Sequence, residues 1–353
     1  MRLYLPSEQI WPKLLAACAE AKESILFEQY LIEDDAVGKE VARVLIEKAK
    51  QGVKVRCLFD SAGSFTFGRS STLKEMETAG IHIEFFNWLW PFSPRNLGSW
   101  YFRNHRRQLI IDSKQAFTGG ICFGEEAQKW IDSEIEITSP SVVLQMQELF
   151  ITSWHRARRE TYPPFKYRRT GPDEKEYLAP SSPLLRKRFL YYELIRSIRR
   201  ARRYAYFATP YFLPDNKLKR TLIRAARRGV DVKILVPRHS NHSIVNRGSH
   251  TYYDELLFGG VKIYWHPEML HSKTAVIDDA WTTVGSLNLD NLSLRYNFEA
   301  NVINIDRDFA ISAKVQFEDE LAKAEEIVLE KWRRRAFISQ WLELLVWPIR
   351  KFL

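Results

Sequence analysis

Short apolar runs separated by amphipathic stretches occupy the beginning of the chain and predict alternating helices and strands. Apolar positions at helical spacing predict helices over residues 8–24, 35–51 and 71–79. Compact apolar runs predict strands over residues 25–31, 53–60 and 81–86. Gly52 and Gly80 mark helix ends. Strands that alternate with helices in this order favour a layered α/β domain.

The same order of elements returns in the second half of the chain. Residues 204–212 match the first predicted strand, and residues 222–236 match the helix and strand at 45–59. Residues 260–264 match residues 80–84. Three matches in one order indicate an internal duplication.

The duplication and the chain length predict two domains. A chain of 353 residues exceeds what one hydrophobic core normally serves. The segment 161–183 is rich in proline and charge, which predicts a linker between a first domain over 1–160 and a second over 184–335. Within the second domain, residues 309–335 predict one long helix. The tail at 336–353 is apolar and aromatic with a basic end, which is typical of an amphipathic segment.

One stretch in the second half carries candidate chemistry. His271, Lys273 and Asp278 stand at the first, third and eighth positions of an octapeptide. The first and third residues of a strand face the same side, so the imidazole and the ammonium can contact one ligand. A histidine beside a fixed cation suits reaction at a phosphodiester. An isolated pair of this kind on an amphipathic strand is also compatible with a purely structural role.

The duplication places a counterpart of this motif in the first half. His105, Arg107 and Asp112 repeat the spacing, and the aspartate stands seven positions after the histidine in both copies. The repeat makes a structural role for both histidines a weak alternative. Gly120 pairs with Ser286 and Cys122 pairs with Asn288, at 15 and 17 positions after each histidine. Asp132 lies 27 positions after His105 and Glu299 lies 28 after His271, each just before an apolar strand.

Composition narrows the classes of partner. The formal net charge of +10 indicates an anionic partner, which fits nucleic acid and anionic lipid equally. Three scattered cysteines are too few for a disulfide framework, which favours a reducing compartment. The sequence has no apolar run of about 20 residues, so we expect any membrane association to be at the surface.

Two copies of His-x-Lys/Arg-x4-Asp, each followed by a Gly-Gly or Gly-Ser turn, resemble the phospholipase D superfamily across nearly the whole chain. The second copy, continuing through residues 285–301, is most similar to bacterial cardiolipin synthases of a short branch without membrane-spanning segments. The resemblance implies an α/β fold of two tandem phospholipase D-like α/β/α domains, with mixed sheets related by a pseudo-twofold axis. It also implies that His105 and His271 share one pocket.

The resemblance further implies a role for each site residue. His105 is expected to attack phosphorus and form a phosphohistidine, while His271 protonates the leaving alkoxide and later deprotonates the acceptor. Near-symmetry leaves the reverse order open. The remaining expected roles are phosphate binding by Arg107 and Lys273, further hydrogen bonds from Ser286 and Asn288, orientation of a histidine by Asp132 and Glu299, and bracing of the motif by Asp112 and Asp278. No metal or other cofactor is expected.

Two positions depart from the family pattern. Arg107 replaces the usual lysine, which keeps the charge but changes a point charge into a planar fork. Cys122 stands where Asn288 stands in the second half, which removes a good hydrogen-bond donor. We interpret both as specialisation of the halves. Catalysis by the Cys122 thiol is the weaker alternative, because a free cysteine is commonly a small buried residue.

Aromatic and basic segments favour a lipid surface. Trp88 and Trp90 in a loop, and Trp341 and Trp347 in the tail, are candidate membrane contacts, since tryptophan favours membrane interfaces. A buried loop core and packing of the tail against protein are the alternatives. Basic runs at 156–159, 166–169, 186–188 and 199–203 are compatible with anionic headgroups and with solvated helix faces.

These features together predict a phosphatidyltransferase that makes cardiolipin from two phosphatidylglycerol molecules and releases glycerol. The alternatives are a phospholipase D that uses water and yields phosphatidic acid, and a phosphodiesterase that acts on nucleic acid. Nucleic acid is the less favoured partner, because superfamily nucleases often carry one motif and dimerise. We expect a peripheral protein on the cytoplasmic face of the bacterial inner membrane, in contact with anionic phospholipid. The oligomeric state stays open.

Overall fold

A computed structural model describes residues 2–4, 7–87, 101–168, 174–183 and 187–335, together with positions 346 and 348. The predicted membrane contacts Trp88, Trp90, Trp341 and Trp347 lie outside the described residues. None of the helices within the described ranges is both long and apolar enough to cross a membrane.

The first half builds seven strands and four α-helices in the described ranges. The elements are β1 (Arg2–Tyr4), α1 (Ser7–Glu20), β2 (Ser24–Gln29), α2 (Ala36–Lys50), β3 (Lys54–Asp60), α3 (Ser71–Thr78), β4 (His82–Phe86), β5 (Gln108–Ile111), β6 (Gln115–Gly119), β7 (Glu134–Ile137) and α4 (Pro140–Ala157). Local signals explain the boundaries. Asp35 accepts a hydrogen bond from the Gly38 amide at the start of α2, and Gly52, with φ of +91°, follows its end.

The second half repeats this plan with additions. Its elements are β8 (Glu176–Ser182), β9 (Lys187–Arg188), α5 (Phe189–Arg200), β10 (Tyr204–Ala208), α6 (Asn216–Arg227), β11 (Asp231–Pro237), α7 (Ser243–Phe258), β12 (Lys262–His266), β13 (Thr274–Ile277), β14 (Trp281–Gly285), α8 (Asn291–Arg295), β15 (Glu299–Asn304), α9 (Arg307–Leu321), β16 (Glu325–Glu326) and α10 (Leu329–Arg333).

The two sheets have the same central strand order. The first sheet runs β1-β7-β6-β5-β2-β3-β4, and the second runs β8-β15-β14-β13-β10-β11-β12 with β9 and β16 added at its edges. In both, three strands are parallel and the rest antiparallel. The predicted fold class of two matched α/β domains with mixed sheets is confirmed.

Two boundaries differ from the sequence-based expectation. Strand β8 lies inside the predicted linker and pairs with β15, because Tyr177, Leu178 and Ala179 form a buried apolar run that the flanking prolines and charges obscured. The predicted long helix at 309–335 ends at Leu321. The chain then pairs β16 with β12, and α10 returns Trp332 to the core.

The halves pack against each other through a shared hydrophobic core. This core joins Val142 and Phe150 of α4 to Leu178, Val284 and Val302 of the second sheet. Two isolated β-bridges connect the halves beside it, one between Asn104 and Phe298 and one between Ile131 and Leu270. Burying this apolar surface brings the ends of β5 and β13, and the motifs before them, to one place.

Candidate active site

The backbone joins each histidine to the other half. The His105 amide donates to the Phe298 carbonyl at 3.0 Å, and the His271 amide donates to the Ile131 carbonyl at 2.7 Å. Phe298 and Ile131 each precede an acidic residue, Glu299 in one case and Asp132 in the other. The two connections are therefore equivalent, and each places a carboxylate of one half beside a histidine of the other.

His105 is buried and held by Glu299. Its Nδ1 lies 2.9 Å and 3.1 Å from the two carboxylate oxygens and 3.1 Å from the Ser286 carbonyl. All three partners accept, so Nδ1 carries the proton and Nε2 is left to face the site. The Ser286 hydroxyl donates to the same carboxylate at 2.5 Å, and the Tyr30 ring lies edge-on to the imidazole at 4.9 Å.

His271 has the corresponding partner from the first half. Its Nδ1 lies 2.5 Å from an Asp132 carboxylate oxygen, and the Trp130 ring lies 4.7 Å from the imidazole. The sequence predicted that Asp132 and Glu299 would each orient a histidine. It did not indicate that each would contact the histidine of the opposite half.

The two cations lie against their own histidines. Arg107 contacts His105 Nε2 at 3.1 Å and donates to the His105 carbonyl at 2.9 Å. The Lys273 Nζ lies 3.0 Å from His271 Nε2, 2.8 Å from its Nδ1, and 2.5 Å from the His271 carbonyl to which it donates. Both cations are buried, so they supply positive charge in a region of low dielectric.

Burial sets the electrostatics of the site. Burial, and then the charge of Arg107, lower the pKa of His105. Burial and Lys273 lower the pKa of His271 to about 3, against the attraction of Asp132. Burial also lowers the pKa of Lys273 to about 7, although Asp132 opposes this change. Both imidazoles are therefore neutral, and Lys273 can exchange a proton near neutral pH.

The residues after each motif differ between the halves. Gly120 stands where Ser286 stands, and a Cβ there would lie 1.9 Å from an Asp132 oxygen, so the carboxylate occupies the space of the missing side chain. Cys122, in the position of Asn288, is buried, and its Sγ lies 3.4 Å from an Arg107 nitrogen. Asn288 is buried and hydrogen-bonds to Asp290.

Asp112 and Asp278 were predicted among the catalytic residues. In the structure their carboxylates accept hydrogen bonds from backbone amides. Asp112 accepts from the amides of Lys22, Glu23 and Ser24 at 2.7–2.9 Å. Asp278 accepts from the amides of residues 202, 203 and 204 at 2.7–2.9 Å. Each carboxylate joins the turn after the motif strand to the start of the neighbouring central strand. The bracing role is the one these contacts support.

Sequence reasoning missed two aromatic residues of the site. Tyr30 contacts the ring of His105 and lies 5.6 Å from the Arg107 guanidinium, while Trp130 contacts His271. Both belong to the first half, so comparing the two copies of the repeat could not identify them. Within the described ranges, no group of three or more His, Cys, Asp or Glu side chains is placed to hold a metal ion.

Two neutral histidines, each between a cation of its own half and a carboxylate of the other, form a site suited to nucleophilic and acid–base chemistry on an anionic group. Comparison with known proteins agrees. The family described as "Cardiolipin synthase, PLD-like domain" matches residues 14–154 and 194–321, and the chain belongs to this family. The resemblance found in the sequence is confirmed.

Individual relatives are consistent with this membership. Cardiolipin synthase A of Pseudomonas fluorescens is 31% identical over 354 residues, covering 96% of this chain and 72% of the relative. A probable cardiolipin synthase of Bacillus subtilis is 30% identical, covering 91% of this chain and 65% of the relative. Phosphatidylserine synthase of Haemophilus influenzae shares the fold, with a TM-score of 0.77, 11% identity and coverage of 99% and 95% of the two chains.

Proposed function

We propose that this protein is a phosphatidyltransferase that makes cardiolipin from two phosphatidylglycerol molecules and releases glycerol. The observation that carries the proposal is the reciprocal pair of buried histidines, each held through Nδ1 by a carboxylate of the other half. Relatives described as cardiolipin synthases over most of their length support the choice of substrate.

The first step forms a phosphohistidine. The His105 Nε2 lone pair attacks phosphorus while the Nδ1 proton stays on the imidazole and is donated to Glu299, and Arg107 and Lys273 bind the non-bridging oxygens. The bond from phosphorus to the glycerol oxygen breaks as the N–P bond forms. Lys273 passes its proton to His271 Nε2, and His271 gives it to the departing oxygen, so glycerol leaves as a neutral alcohol.

The second step returns the enzyme to its first state. A hydroxyl of the second phosphatidylglycerol attacks the phosphohistidine phosphorus and gives its proton to His271, which passes it back to Lys273. The N–P bond breaks, and cardiolipin is the product. Ser286 supports this cycle by holding the Glu299 carboxylate, and Asn288 would donate to phosphate from the second half.

The choice of His105 as the nucleophile is supported by the difference between the two cations. A guanidinium can only donate, so its contact with His105 Nε2 requires a free lone pair there. Lys273, whose pKa is lowered to about 7 and whose Nζ lies 3.0 Å from His271 Nε2, can pass its proton to that nitrogen. His271 can therefore deliver a proton from Nε2, as a general acid requires.

The site of action proposed here is a membrane surface. Phospholipid is the substrate, and the net charge of +10 favours an anionic surface. We place the protein peripherally on the cytoplasmic face of the bacterial inner membrane. The tryptophans expected at the interface, Trp88, Trp90, Trp341 and Trp347, belong to the same proposal.

Incubation of the purified protein with labelled phosphatidylglycerol in anionic vesicles tests this function. We expect cardiolipin and glycerol in equal amounts, separated by thin-layer chromatography and mass spectrometry. If phosphatidic acid is the sole lipid product, the activity is hydrolysis and not phosphatidyl transfer. Cleavage of single-stranded DNA without lipid turnover would reassign the protein as a nuclease.

A further inference from the structure

A second cavity, of about 440 Å³, lies behind the active site between the end of α4, the segment 159–165 and β8. His105 and Glu299 meet in the active site, whereas their chain neighbours Arg106 and Phe298 line this cavity. Successive side chains of an extended chain point to opposite sides. The cavity is therefore separated from the catalytic centre by the strand-like segments that carry the two catalytic groups.

Three arginines line this cavity, Arg106, Arg156 and Arg159, and the first two stand over one aromatic ring. Arg106 is buried and donates to the Ser153 hydroxyl at 2.7 Å, to the Ser181 carbonyl at 3.3 Å and to the Glu299 carbonyl at 3.4 Å, which are all uncharged acceptors. Arg156 stands over the Phe298 ring at 4.9 Å, and Arg106 stands over the same ring at 5.4 Å.

Arg106 and Arg156 repel each other, and no carboxylate lies between them as a shared ion-pair partner among the described residues. Burial lowers the pKa of Arg106 to about 10; the nearby charges of Glu28 and Glu299 oppose this change, and Arg156 adds a smaller lowering. Among the described residues, neither arginine makes an ion pair with a carboxylate. The Glu28 carboxylate near Arg106 is bonded to Asn104 and to Gln108. A bound anion would relieve this repulsion, because like charges in a partly buried site are otherwise costly.

The acidic group at the rim is also engaged elsewhere. Glu160 lines the cavity, but its carboxylate pairs with Arg158 at 2.6 Å and with His155 at 2.6 Å. It therefore adds little negative charge toward Arg106 and Arg156. The net character of the polar end of the cavity is cationic.

The rest of the wall is apolar. Leu149 of α4, Phe165, Phe189 and Phe298 line the cavity beside Tyr162. Cavities of roughly 300–1,000 Å³ hold small organic ligands, and an apolar wall favours a hydrocarbon chain through the hydrophobic effect. A cationic end joined to an apolar wall matches a molecule with a phosphate head and an acyl chain.

We propose that this cavity is a second, non-catalytic binding site for an anionic phospholipid. The phosphate lies between Arg106 and Arg156, whose planar forks bind phosphate oxygens in pairs. One acyl chain lies along Leu149, Phe165 and Phe298. The basic run at 156–159, which the catalytic mechanism leaves without a role, contributes Arg156 to this site.

Photolabelling of the full-length protein tests the site without requiring turnover. The probe is phosphatidic acid with a diazirine in its acyl chain, because a phosphate monoester has no headgroup alcohol to transfer. Labelled peptides are mapped by mass spectrometry, and the half-saturating concentration is measured for peptides that cover residues 149–165. Phosphatidylcholine with the same chain and inorganic phosphate as a competitor complete the set.

We expect saturable labelling of these peptides by phosphatidic acid and at least tenfold weaker labelling by phosphatidylcholine, whose ammonium the arginines repel. Arg156→Gln should raise the half-saturating concentration about tenfold, since it removes one charge-assisted contact. Arg43→Gln is the control for the loss of one positive charge, because Arg43 of α2 pairs with Glu40 and Glu47 and does not line the cavity, and it should change the value less than twofold.

Three outcomes would overturn the proposal. The first is labelling confined to peptides of the catalytic centre, and the second is equal labelling by the two lipids. The third is competition by inorganic phosphate at the same concentration as phosphatidic acid, which would make the cavity a plain anion site. Because none of these measurements depends on transfer, a failure here is distinct from a failure to make cardiolipin.

Discussion

The two halves of the active site differ in the cation that contacts each histidine. Arg107 in the first half keeps its proton at any ordinary pH and donates to His105 Nε2 at 3.1 Å. Lys273 in the second half lies 3.0 Å from His271 Nε2, and burial lowers its pKa to about 7. One histidine therefore faces a permanent charge, and the other faces a group that can lose its charge.

The orienting carboxylates differ as well. Glu299 contacts His105 through both oxygens and is itself held by Ser286. Asp132 contacts His271 through one oxygen and fills the space beside Gly120. The backbone frame is equivalent in both halves, so this difference lies in the side chains. A reaction that uses one histidine as a nucleophile and one as an acid needs such unlike surroundings.

The largest expected effect separates the two histidines. His105→Ala and His271→Ala should each lower turnover of phosphatidylglycerol by at least about 10⁴-fold. With a p-nitrophenyl phosphodiester, whose leaving group needs no proton, His271→Ala should still accumulate phosphohistidine. His105→Ala should accumulate no phosphohistidine with this substrate. Intact-protein mass spectrometry measures the adduct, and an adduct only in His105→Ala would reverse the assigned roles.

Replacing the orienting carboxylates of Glu299 and Asp132 by neutral amides should lower kcat by different amounts. Glu299→Gln presents an N–H to His105 Nδ1 and moves the imidazole proton to Nε2, which removes the nucleophilic lone pair. We expect kcat to fall by about 10³–10⁴-fold. Asp132→Asn makes the same change beside His271 and leaves a proton on Nε2, where a general acid needs it. We therefore expect kcat to fall by about 10²-fold. Equal losses in steady-state assays would contradict the division of roles.

The cations predict different pH profiles. Lys273 is charged below its pKa of about 7, so the rate should fall as pH rises through that value. Lys273→Arg should abolish this fall and lower the rate at the optimum by at least about tenfold, because the guanidinium keeps its proton and cannot supply it to His271. Profiles of kcat against pH measure both effects. An unchanged alkaline limb in Lys273→Arg would assign the fall to another group.

The motif aspartates should act alike in both halves and on stability alone. Burial disfavours the Asp112 carboxylate, yet the amides of Ser24, Lys22 and Glu23 lower its pKa below the ordinary value. Asp112→Asn and Asp278→Asn should each reduce the free energy of unfolding by about 1–3 kcal/mol, since charge-assisted hydrogen bonds are weakened. Asparagine tolerates the positive φ at both sites. Urea denaturation measures the loss, and a large fall in kcat of the folded variants would indicate a direct catalytic role.

The smallest expected effect concerns the cysteine of the first half. Cys122→Asn installs the residue that the second half carries at this position, and the amide can replace the thiol beside Arg107. We expect kcat to stay within about threefold, because the thiol has no step in the mechanism. A loss comparable to that of His105→Ala would make the thiol a participant.

Local pattern was sufficient for much of the fold. The strand at Lys54–Asp60, for example, has apolar positions that predict it without reference to the rest of the chain. The strand at Glu176–Ser182 was not predicted from local pattern, because prolines and charges surround Tyr177 and Ala179. Its pairing with β15 stabilises it, and that pairing is visible only in the tertiary structure. The long helix predicted to Arg335 was wrong for the same reason, since pairing of Glu325 and Glu326 with β12 replaces helical hydrogen bonds.

The sequence by itself determined which residue types form the site and that they come in two copies. His105 and His271, with their cations, follow from a repeated spacing along single strands. Only the tertiary structure decided that Glu299 serves His105 and that Asp132 serves His271. A repeat specifies what each half contains, whereas contacts between halves depend on how their apolar faces pack, and that packing joins residues more than 130 positions apart.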